Sequence, residues 1–232
     1  MRNLFTAFIL CFLFSCNNEK TLRLPEIMYA DTNEVLDVSH AYIFYDETKP
    51  DSLELNRKNL IGTTNWLINV DKRLTLDQAI PQVRFLQDKK RSAKMHKNDA
   101  AKNYFTCSDS SIKNLGFIEF TDVVYKTYEE EKDLELNNKP NTLKIFINSM
   151  DNIIIDSFEN SSEQTSKTII KALTSRIDSL KAIKEIDKSS DPYIIYFIYN
   201  KRLNFQNYIS IKSLFKDFKL ESATISKNEF IN

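Results

Sequence analysis

Glycine is almost absent from this chain of 232 residues, which contains only Gly62 and Gly116. Phosphate-binding loops and dinucleotide-binding fingerprints need several glycines in one short stretch, because backbone N–H groups must approach the phosphate closely. Neither kind of site fits this sequence. We therefore predict that the protein uses no nucleotide cofactor, and no motif indicates a cofactor of another class.

An excess of either charge is also missing. Lysine and arginine total 32 and aspartate and glutamate total 32, which gives a formal net charge of +0 at pH 7. A chain with this balance has no general attraction to nucleic acid. Hydrophobic residues make up 42% of the chain and include 16 Phe and 10 Tyr, so the composition supports a packed core.

The chain lacks an apolar run long enough to span a bilayer. Its most apolar stretch, from Leu4 to Phe14, is shorter than the roughly 20 residues that a transmembrane helix needs. With Arg2 in front of it, the stretch has the layout of a secretory signal peptide. We predict that this segment directs export and does not remain as a span.

One of the three cysteines follows this segment at once. The residues from Leu13 to Cys16, "LFSC", resemble the bacterial lipobox. The resemblance implies diacylglyceryl attachment to Cys16 and cleavage after Ser15, so 1–15 is expected to be a lipoprotein signal peptide and the mature protein to be held to the membrane by its lipid. An ordinary signal peptide with a chance cysteine and an uncleaved anchor are the alternatives. Asn17, where an aspartate would retain the protein at the inner membrane, favours the outer membrane of a bacterial cell envelope.

Cys107 is the one cysteine of the expected mature chain besides Cys16, so no internal disulfide is expected. A cysteine-dependent hydrolase would need its thiolate paired with an imidazole, and the only histidines are His40 and His96. No catalytic signature surrounds Cys107. A zinc site from the same three residues would lack a fourth ligand and a close-spaced pair. We predict neither catalysis nor metal binding, and the hydrolase is kept as a third alternative.

The pattern of the chain predicts four parts. Residues 1–15 are the signal peptide, polar residues 16–37 a tether, 38–137 an N-terminal α/β unit and 138–232 a C-terminal α/β unit. Aromatic and β-branched runs predict strands, and apolar residues at spacings of three and four predict helices. The predicted strands are 41–45, 65–70, 115–125, 142–148, 152–156, 192–200 and 222–226.

Three helices are predicted between these strands. The first is opened by Thr75 and Gln78 in capping-box spacing, and Pro81 predicts a late start or a kink. The second is opened by Ser161 and Gln164 and the third covers 205–218. The strand at 192–200 is apolar on both faces and is expected to be central in its sheet.

A ten-residue pattern occurs in each unit. "DKRLTLDQAI" (71–80) and "NKRLNFQNYI" (200–209) share Lys-Arg-Leu after a predicted strand, then Thr or Asn at a helix N-cap position. This match favours duplication of one α/β unit. Four side chains of the repeat are candidates for binding an anion or a partner near a helix start, with solvated turn charges as the alternative. They are Lys72, Arg73, Lys201 and Arg202.

The C-terminal unit also resembles a known family. Its stretch "YIIYFIYNKRLNFQNYISIKSLFKDFKLESATIS" is similar to the strand, charged turn, helix and final strand of the periplasmic domain of the ExbD/TolR biopolymer-transport family. The transmembrane helix and proton-handling aspartate of that family have no counterpart, so energy transduction does not carry over. The resemblance implies a small α/β envelope domain that dimerises or contacts peptidoglycan or a partner protein.

Two further groups of side chains are candidates for binding. A basic segment that comprises Lys89, Lys90, Arg91, Lys94 and Lys97 suits an anionic headgroup, a phosphorylated glycan or an acidic partner, or is a solvated loop. Aromatic residues on strands suit sugar stacking or, as the alternative, core packing. These aromatic residues are Trp66, Tyr193, Tyr196 and Tyr199.

The sequence thus predicts an α+β fold of two related small α/β units, each a mixed sheet with helices packed on one face. The expected function is a lipid-anchored envelope protein with a non-catalytic binding or assembly role, mainly through protein–protein contacts. A glycan- or peptidoglycan-binding module is the alternative function. The expected partners are the membrane through the lipid, an envelope protein, peptidoglycan in the alternative, and a second copy in a homodimer, without nucleic acid.

Overall fold

Two mixed β-sheets organise the chain in the computed structural model. It describes residues 20–93, 98–128, 141–157, 161–165, 167–172, 174–175, 192–215 and 223–232. The first sheet has the order β1-β5-β4-β2-β3, with β6 paired to β5. Its elements are β1 (Glu26–Ile27), β2 (Val38–Tyr45), β3 (Leu53–Asn56), β4 (Asn65–Val70), helix α1 (Leu76–Arg91), β5 (Asn103–Asp109) and β6 (Asn114–Glu119).

The second sheet repeats much of this arrangement and has the order β10-β9-β8-β11-β12-β7. Its elements are β7 (Val124–Thr127), β8 (Thr142–Ser149), β9 (Asn152–Ser157), β10 (Ser161–Gln164), β11 (Tyr193–Tyr199), helix α2 (Phe205–Phe215) and β12 (Ala223–Ile231). Strand β11 lies between β8 and β12 and is parallel to both, so its predicted central place is confirmed.

The two sheets share a four-strand unit, which confirms the predicted α+β fold of two related units. In the first sheet β2 pairs antiparallel with β3 and parallel with β4, and β4 pairs parallel with β5. In the second sheet β8 pairs antiparallel with β9 and parallel with β11, and β11 pairs parallel with β12. The helix follows the central strand in both units.

One hydrophobic cluster joins both units. The inward faces of the two sheets and both helices contribute to it, so each sheet has a helix packed on one face. Representative members are Ile43, Ile68 and Phe105 of the first sheet, Ile80 and Tyr208 of the helices, and Ile145 and Tyr199 of the second sheet. Smaller clusters cover the outward faces, around Leu67 in the first sheet and around Phe230 in the second.

Helix α1 begins where the capping-box spacing predicts, at Leu76. The Gln78 Oε1 atom accepts a hydrogen bond from the backbone N–H of Thr75 at 2.9 Å. The helix contains Pro81, so the predicted late start is wrong. The reason is tertiary: the N–H groups of Leu76 and Asp77 bond to carbonyl oxygens of the second unit, which fixes the first turn.

The predicted tether at 16–37 is wrong over the part that the structure describes. Residues Glu26 and Ile27 form β1, which pairs in parallel with the far end of β5, and Ile27 is buried. The backbone carbonyl of Arg23 accepts a hydrogen bond from Lys72 at 2.8 Å. The chain is therefore attached to the first unit from Lys20 onward and does not hang free.

The predicted boundary between 137 and 138 lies outside the described residues, but the sheets do not divide the chain there. Strand β7 precedes that boundary and pairs with β12 of the second sheet. The strand predicted at 115–125 is consequently two strands, because the chain turns after Glu119 and crosses from one sheet to the other.

Two more predictions change in the second unit. The stretch Ser161–Gln164 was predicted to open a helix, but it pairs antiparallel with β9, and helical residues start only at 169. The last strand is longer than predicted and runs to Ile231. Among the described residues, no helix combines the length and the apolar character that a membrane crossing requires.

Candidate functional site

The two copies of the repeated turn meet each other. Thr75 and Asn204, which occupy the same position in the two copies, form an isolated antiparallel bridge. Around it each turn donates backbone hydrogen bonds to the other in a two-fold pattern. The backbone N–H groups of the first turn donate to carbonyl oxygens of the second, Leu76 to Leu203 at 2.9 Å and Asp77 to Lys201 at 2.9 Å. In the reverse direction the N–H of Phe205 donates to the carbonyl oxygen of Leu74 at 2.7 Å, and that of Gln206 to Lys72 at 3.2 Å.

This set of hydrogen bonds, called the reciprocal bridge below, uses N–H groups at the N-termini of both helices. The first N–H groups of a helix are the groups that would bind an anion, and here carbonyl oxygens of the opposite turn accept from them. Lys72 pairs with Glu26 at 2.5 Å and Arg73 pairs with Asp71 at 2.8 Å, while Lys201 and Arg202 have exposed side chains. The four cations of the repeat therefore do not converge on a free helix end.

Asp71 organises the first turn from a fully buried position. Burial opposes ionisation of this carboxyl group, but hydrogen bonds from the side chain and backbone of Arg73 and the backbone of Arg23 outweigh it and lower the pKa of Asp71. The second copy has Asn200 in this place, whose Oδ1 atom accepts from the backbone of Arg202 at 2.9 Å. Asp71 and Asn200 therefore have the same structural role, which is to hold the turn that follows the strand.

The basic segment separates into different environments. Lys89 is exposed, Lys94 and Lys97 lie outside the described residues, and Lys90 is buried. The Nζ atom of Lys90 donates to three oxygen atoms, at 3.2, 2.9 and 3.1 Å, and lies 5.1 Å from the centre of the Trp66 ring. Burial lowers the pKa of Lys90 to about 8. Lys90 is therefore not an exposed side chain, and its Nζ atom already has three acceptors within the protein.

A polar cleft of about 400 Å³ opens beside Lys90, at the end of α1. Its other cations are engaged. Arg91 donates to the backbone oxygens of Thr121 and Val123, both at 3.2 Å, and Lys227 pairs with Asp122 at 2.7 Å. Because these N–H groups already have acceptors within the protein, they are not free donors for an incoming anion in the cleft.

Cys107 is inaccessible in the main core. Its side chain is fully buried, and this burial raises the pKa of the thiol. His40 stacks on Tyr42 on the outward face of the first sheet, whereas Cys107 belongs to the inward cluster, so the two cannot pair. The second histidine, His96, lies outside the described residues. The geometry of Cys107 gives the hydrolase alternative no support.

The aromatic residues considered for sugar stacking are buried. Trp66, Tyr193 and Tyr199 belong to the main cluster, and Tyr196 packs against Phe230 on the outward face of the second sheet. A stacking platform needs exposed ring faces, so these residues form core and not a sugar-binding surface.

An open, mainly apolar concavity lies between α1 and strand β7, which ends the strand order of its sheet. This α1–β7 groove has a volume of about 400 Å³. Its lining residues are Leu76, Asp77, Ile80, Pro81, Arg84, Phe85 and Asp88 of α1, Tyr125, Lys126 and Thr127 of β7, and Ile231 of β12. Beyond Thr127 the Tyr128 ring packs on Phe146 and Phe230, on the other face of the second sheet.

Phe85 is the aromatic side chain that the groove presents to solvent. It is 44% exposed although it lies on a helix, and the guanidinium group of Arg57 lies over its ring at 4.7 Å. The buried face of α1 is centred on Val83, and Phe85 lies on the other side of the helix. A phenylalanine on the polar side of an amphipathic helix was the signal in the sequence that marks this surface.

A buried polar chain fixes the floor of the groove. Tyr125 donates to the hydroxyl oxygen of Tyr208 at 2.9 Å, and Tyr208 donates to the Oε2 atom of Glu229 at 2.7 Å. Lys212 completes the chain through its ion pair with Glu229. Burial raises the pKa of both tyrosines well above the ordinary value. The chain ties β7, α2 and β12 together, and no local sequence pattern predicts it.

Comparison of the chain with protein-family models, with curated proteins and with solved structures gives no match.

Proposed function

We propose that this protein is a lipid-anchored bacterial envelope protein with a non-catalytic role, and that it binds an extended segment of a partner protein in the α1–β7 groove. The anchor is the predicted lipid on Cys16, with the outer membrane favoured over the inner. The groove supports the binding role because it is apolar, open and bordered by a sheet edge.

The observation that carries the proposal is the different use of one helix face in the two copies. On α2 the residues Gln206 and Ser213 hold an extended segment of the chain itself. Gln206 bonds to both the N–H and the carbonyl group of Glu26, each at 2.8 Å, and the Ser213 hydroxyl donates to the carbonyl oxygen of Tyr29 at 2.9 Å.

The equivalent positions on α1 line the groove. The repeat matches Gln206 with Asp77, and the same alignment continued along the helices matches Ser213 with Arg84. Both residues of α1 border the open groove. The exposed apolar residues also correspond, since Phe85 matches Leu214. Over the described residues, the helix face that packs an extended segment in one copy borders the open groove in the other copy.

The adjacent strand gives a reason for an extended partner. Among the strands that the structure describes, β7 lies at the end of the strand order of its sheet, and a strand in that position can pair with an incoming strand through its backbone groups. Side chains of such a segment would alternate, and those that point inward would fill the apolar space near Ile80 and Phe85. A protein segment suits this site better than a glycan, because the lining is mainly apolar.

Photocrosslinking in the native envelope tests the proposal. A photoreactive amino acid in place of Arg84 is expected to give a discrete crosslinked protein product. Phe85→Glu is expected to abolish this product, because it puts a charge into the apolar groove. Leu214→Glu is the matched control, since Leu214 has the same helix position and similar exposure in the other copy.

The outcomes separate clearly. Loss of the product in Phe85→Glu and its retention in Leu214→Glu would support binding of a partner protein in the groove. Equal loss in both variants, or no product from position 84 in acylated protein, would contradict it. Metabolic palmitate labelling of the native chain and of Cys16→Ser tests the anchor separately, and label that is unchanged by Cys16→Ser would rule the lipid out.

A further inference from the structure

The first described residues lie across one end of the first sheet. Lys20 forms ion pairs with Asp46, directly after β2, and with Glu54 of β3. The backbone of Arg23 then bonds to Lys72, directly after β4. The carbonyl group of Pro25 accepts from Ser108 of β5 at 2.8 Å. The chain thus crosses from β3 to β5, about 14 Å at three strand spacings.

This end is the one at which the parallel strands finish. Strands β2, β4 and β5 run in the same direction and end at Tyr45, Val70 and Asp109. The chain reaches this end immediately after the predicted lipid site. Only four peptide steps separate Cys16 from Lys20, and a fully extended chain covers about 14 Å in four residues.

Large apolar side chains are exposed at the same end. Met28 is 62% exposed, Tyr29 is 60% exposed and Ile112, in the turn between β5 and β6, is 45% exposed. Tyr29 and Ile112 line one shallow hollow of about 290 Å³. Aromatic and aliphatic side chains of this kind are favoured at the boundary between headgroups and acyl chains.

We propose that this end of the first sheet is a membrane-contact face, in which Met28, Tyr29 and Ile112 rest on the bilayer that holds the Cys16 lipid. The inference rests on the lipid anchor of the proposed function. The turn between β2 and β3 contributes Asp46 and Asp51 to the same end, so attraction to anionic lipid is not its basis. The contact is apolar and is expected to be insensitive to salt.

The opposite end of the unit then faces away from the bilayer. Helix α1 has 16 residues and extends about 24 Å from the reciprocal bridge to the basic segment. Ile61, which is 56% exposed, lies at that far end, because its carbonyl oxygen accepts from the Trp66 indole at the start of β4. Lys89 and Arg91, at the end of α1, are accordingly placed away from the lipid headgroups of their own membrane.

Site-directed spin labelling tests this orientation on the full chain. The acylated protein is reconstituted in vesicles of phosphatidylethanolamine and phosphatidylglycerol, with single labels at Tyr29→Cys, Ile112→Cys or Ile61→Cys. Cys107 does not compete for the label, because it is fully buried. Collisions with oxygen, which concentrates in lipid, are compared with collisions with a water-soluble nickel complex.

The ratio of oxygen to nickel collisions is expected to be several-fold higher at positions 29 and 112 than at position 61, at low and high salt alike. Equal ratios in protein that carries the Cys16 lipid would overturn the membrane face and leave the anchor intact. Protection of positions 29 and 112 from both reagents would also overturn it, since a protein would then cover the face. Absence of acylation would overturn the anchor itself.

Discussion

Replacing Tyr208 by Phe should destabilise the protein far more than the loss of one oxygen atom suggests. The Tyr208 hydroxyl accepts from Tyr125 and donates to Glu229, and all three side chains are buried. Removal leaves the Tyr125 hydroxyl without its acceptor, at a cost of about 1–3 kcal/mol, and removes a hydrogen bond to a charged group, worth about 1.5–3 kcal/mol. Glu229 keeps Lys212, so we expect a loss of about 3–5 kcal/mol in the free energy of unfolding.

Tyr125→Phe is the matched variant and should cost only about 1 kcal/mol, because Tyr208 still donates to Glu229. The double variant no longer contains the Tyr125 hydroxyl group that Tyr208→Phe leaves without an acceptor. The double variant should therefore be less destabilised than the sum of the single variants, by about 1–2 kcal/mol.

Urea unfolding followed by Trp66 fluorescence and by far-ultraviolet circular dichroism measures these changes. Trp66 is the only tryptophan and is buried in the first unit, so it reports whether the loss in the second unit spreads through the shared core. Equal costs of Tyr208→Phe and Tyr125→Phe, or strictly additive costs, would refute the account of the polar chain.

Three further predictions concern buried groups. The pKa of Lys90 is about 8 in the folded protein against 10.5 for an ordinary lysine, so between pH 8 and 10 the unfolded chain holds its proton more tightly. The unfolding free energy of the native chain should therefore rise with pH over this range relative to Lys90→Met. Gly116→Ala should cost about 1–3 kcal/mol, because its Cβ atom would lie 2.5 Å from that of Ala30. At Gly62 an added Cβ atom would have no other atom within 4 Å, so Gly62→Ala should leave the free energy of unfolding in urea unchanged. With Cys11 and Cys16 replaced by Ser, Cys107 should react with maleimide only as fast as the protein unfolds, and rapid labelling in native buffer would contradict its burial.

The features that the sequence predicted well are set by neighbouring residues. Strand β4 occupies its predicted range, the hairpin of β8 and β9 forms, and α1 begins after Thr75. Each depends on alternation, a short turn or a capping residue within a few positions. Duplication was also visible, because the repeated turn is a local pattern that occurs twice.

The features that the sequence missed are set by distant partners. The stretch Ser161–Gln164 carries a helix-start pattern, but pairing with β9 determines its structure. Strand β7 follows β6 closely in the chain but belongs to the other sheet, where Tyr125 reaches Tyr208. The groove could not be predicted for the same reason, since its two walls come from different units.

The groove marks the place where the two copies of the repeat stop being equivalent. The reciprocal bridge between Thr75 and Asn204 gives the helices equal starts, and each helix has an exposed apolar residue at the matching position. Residues before β2 supply the extended segment that packs on α2, and that segment also pairs with β5. Near α1 the chain supplies the short strand β7, and the next residue, Tyr128, turns to the other face of the sheet. Duplication therefore explains both helix faces. Over the described residues, the extended segment before β2 packs on α2, whereas the matching face of α1 borders the groove beside β7.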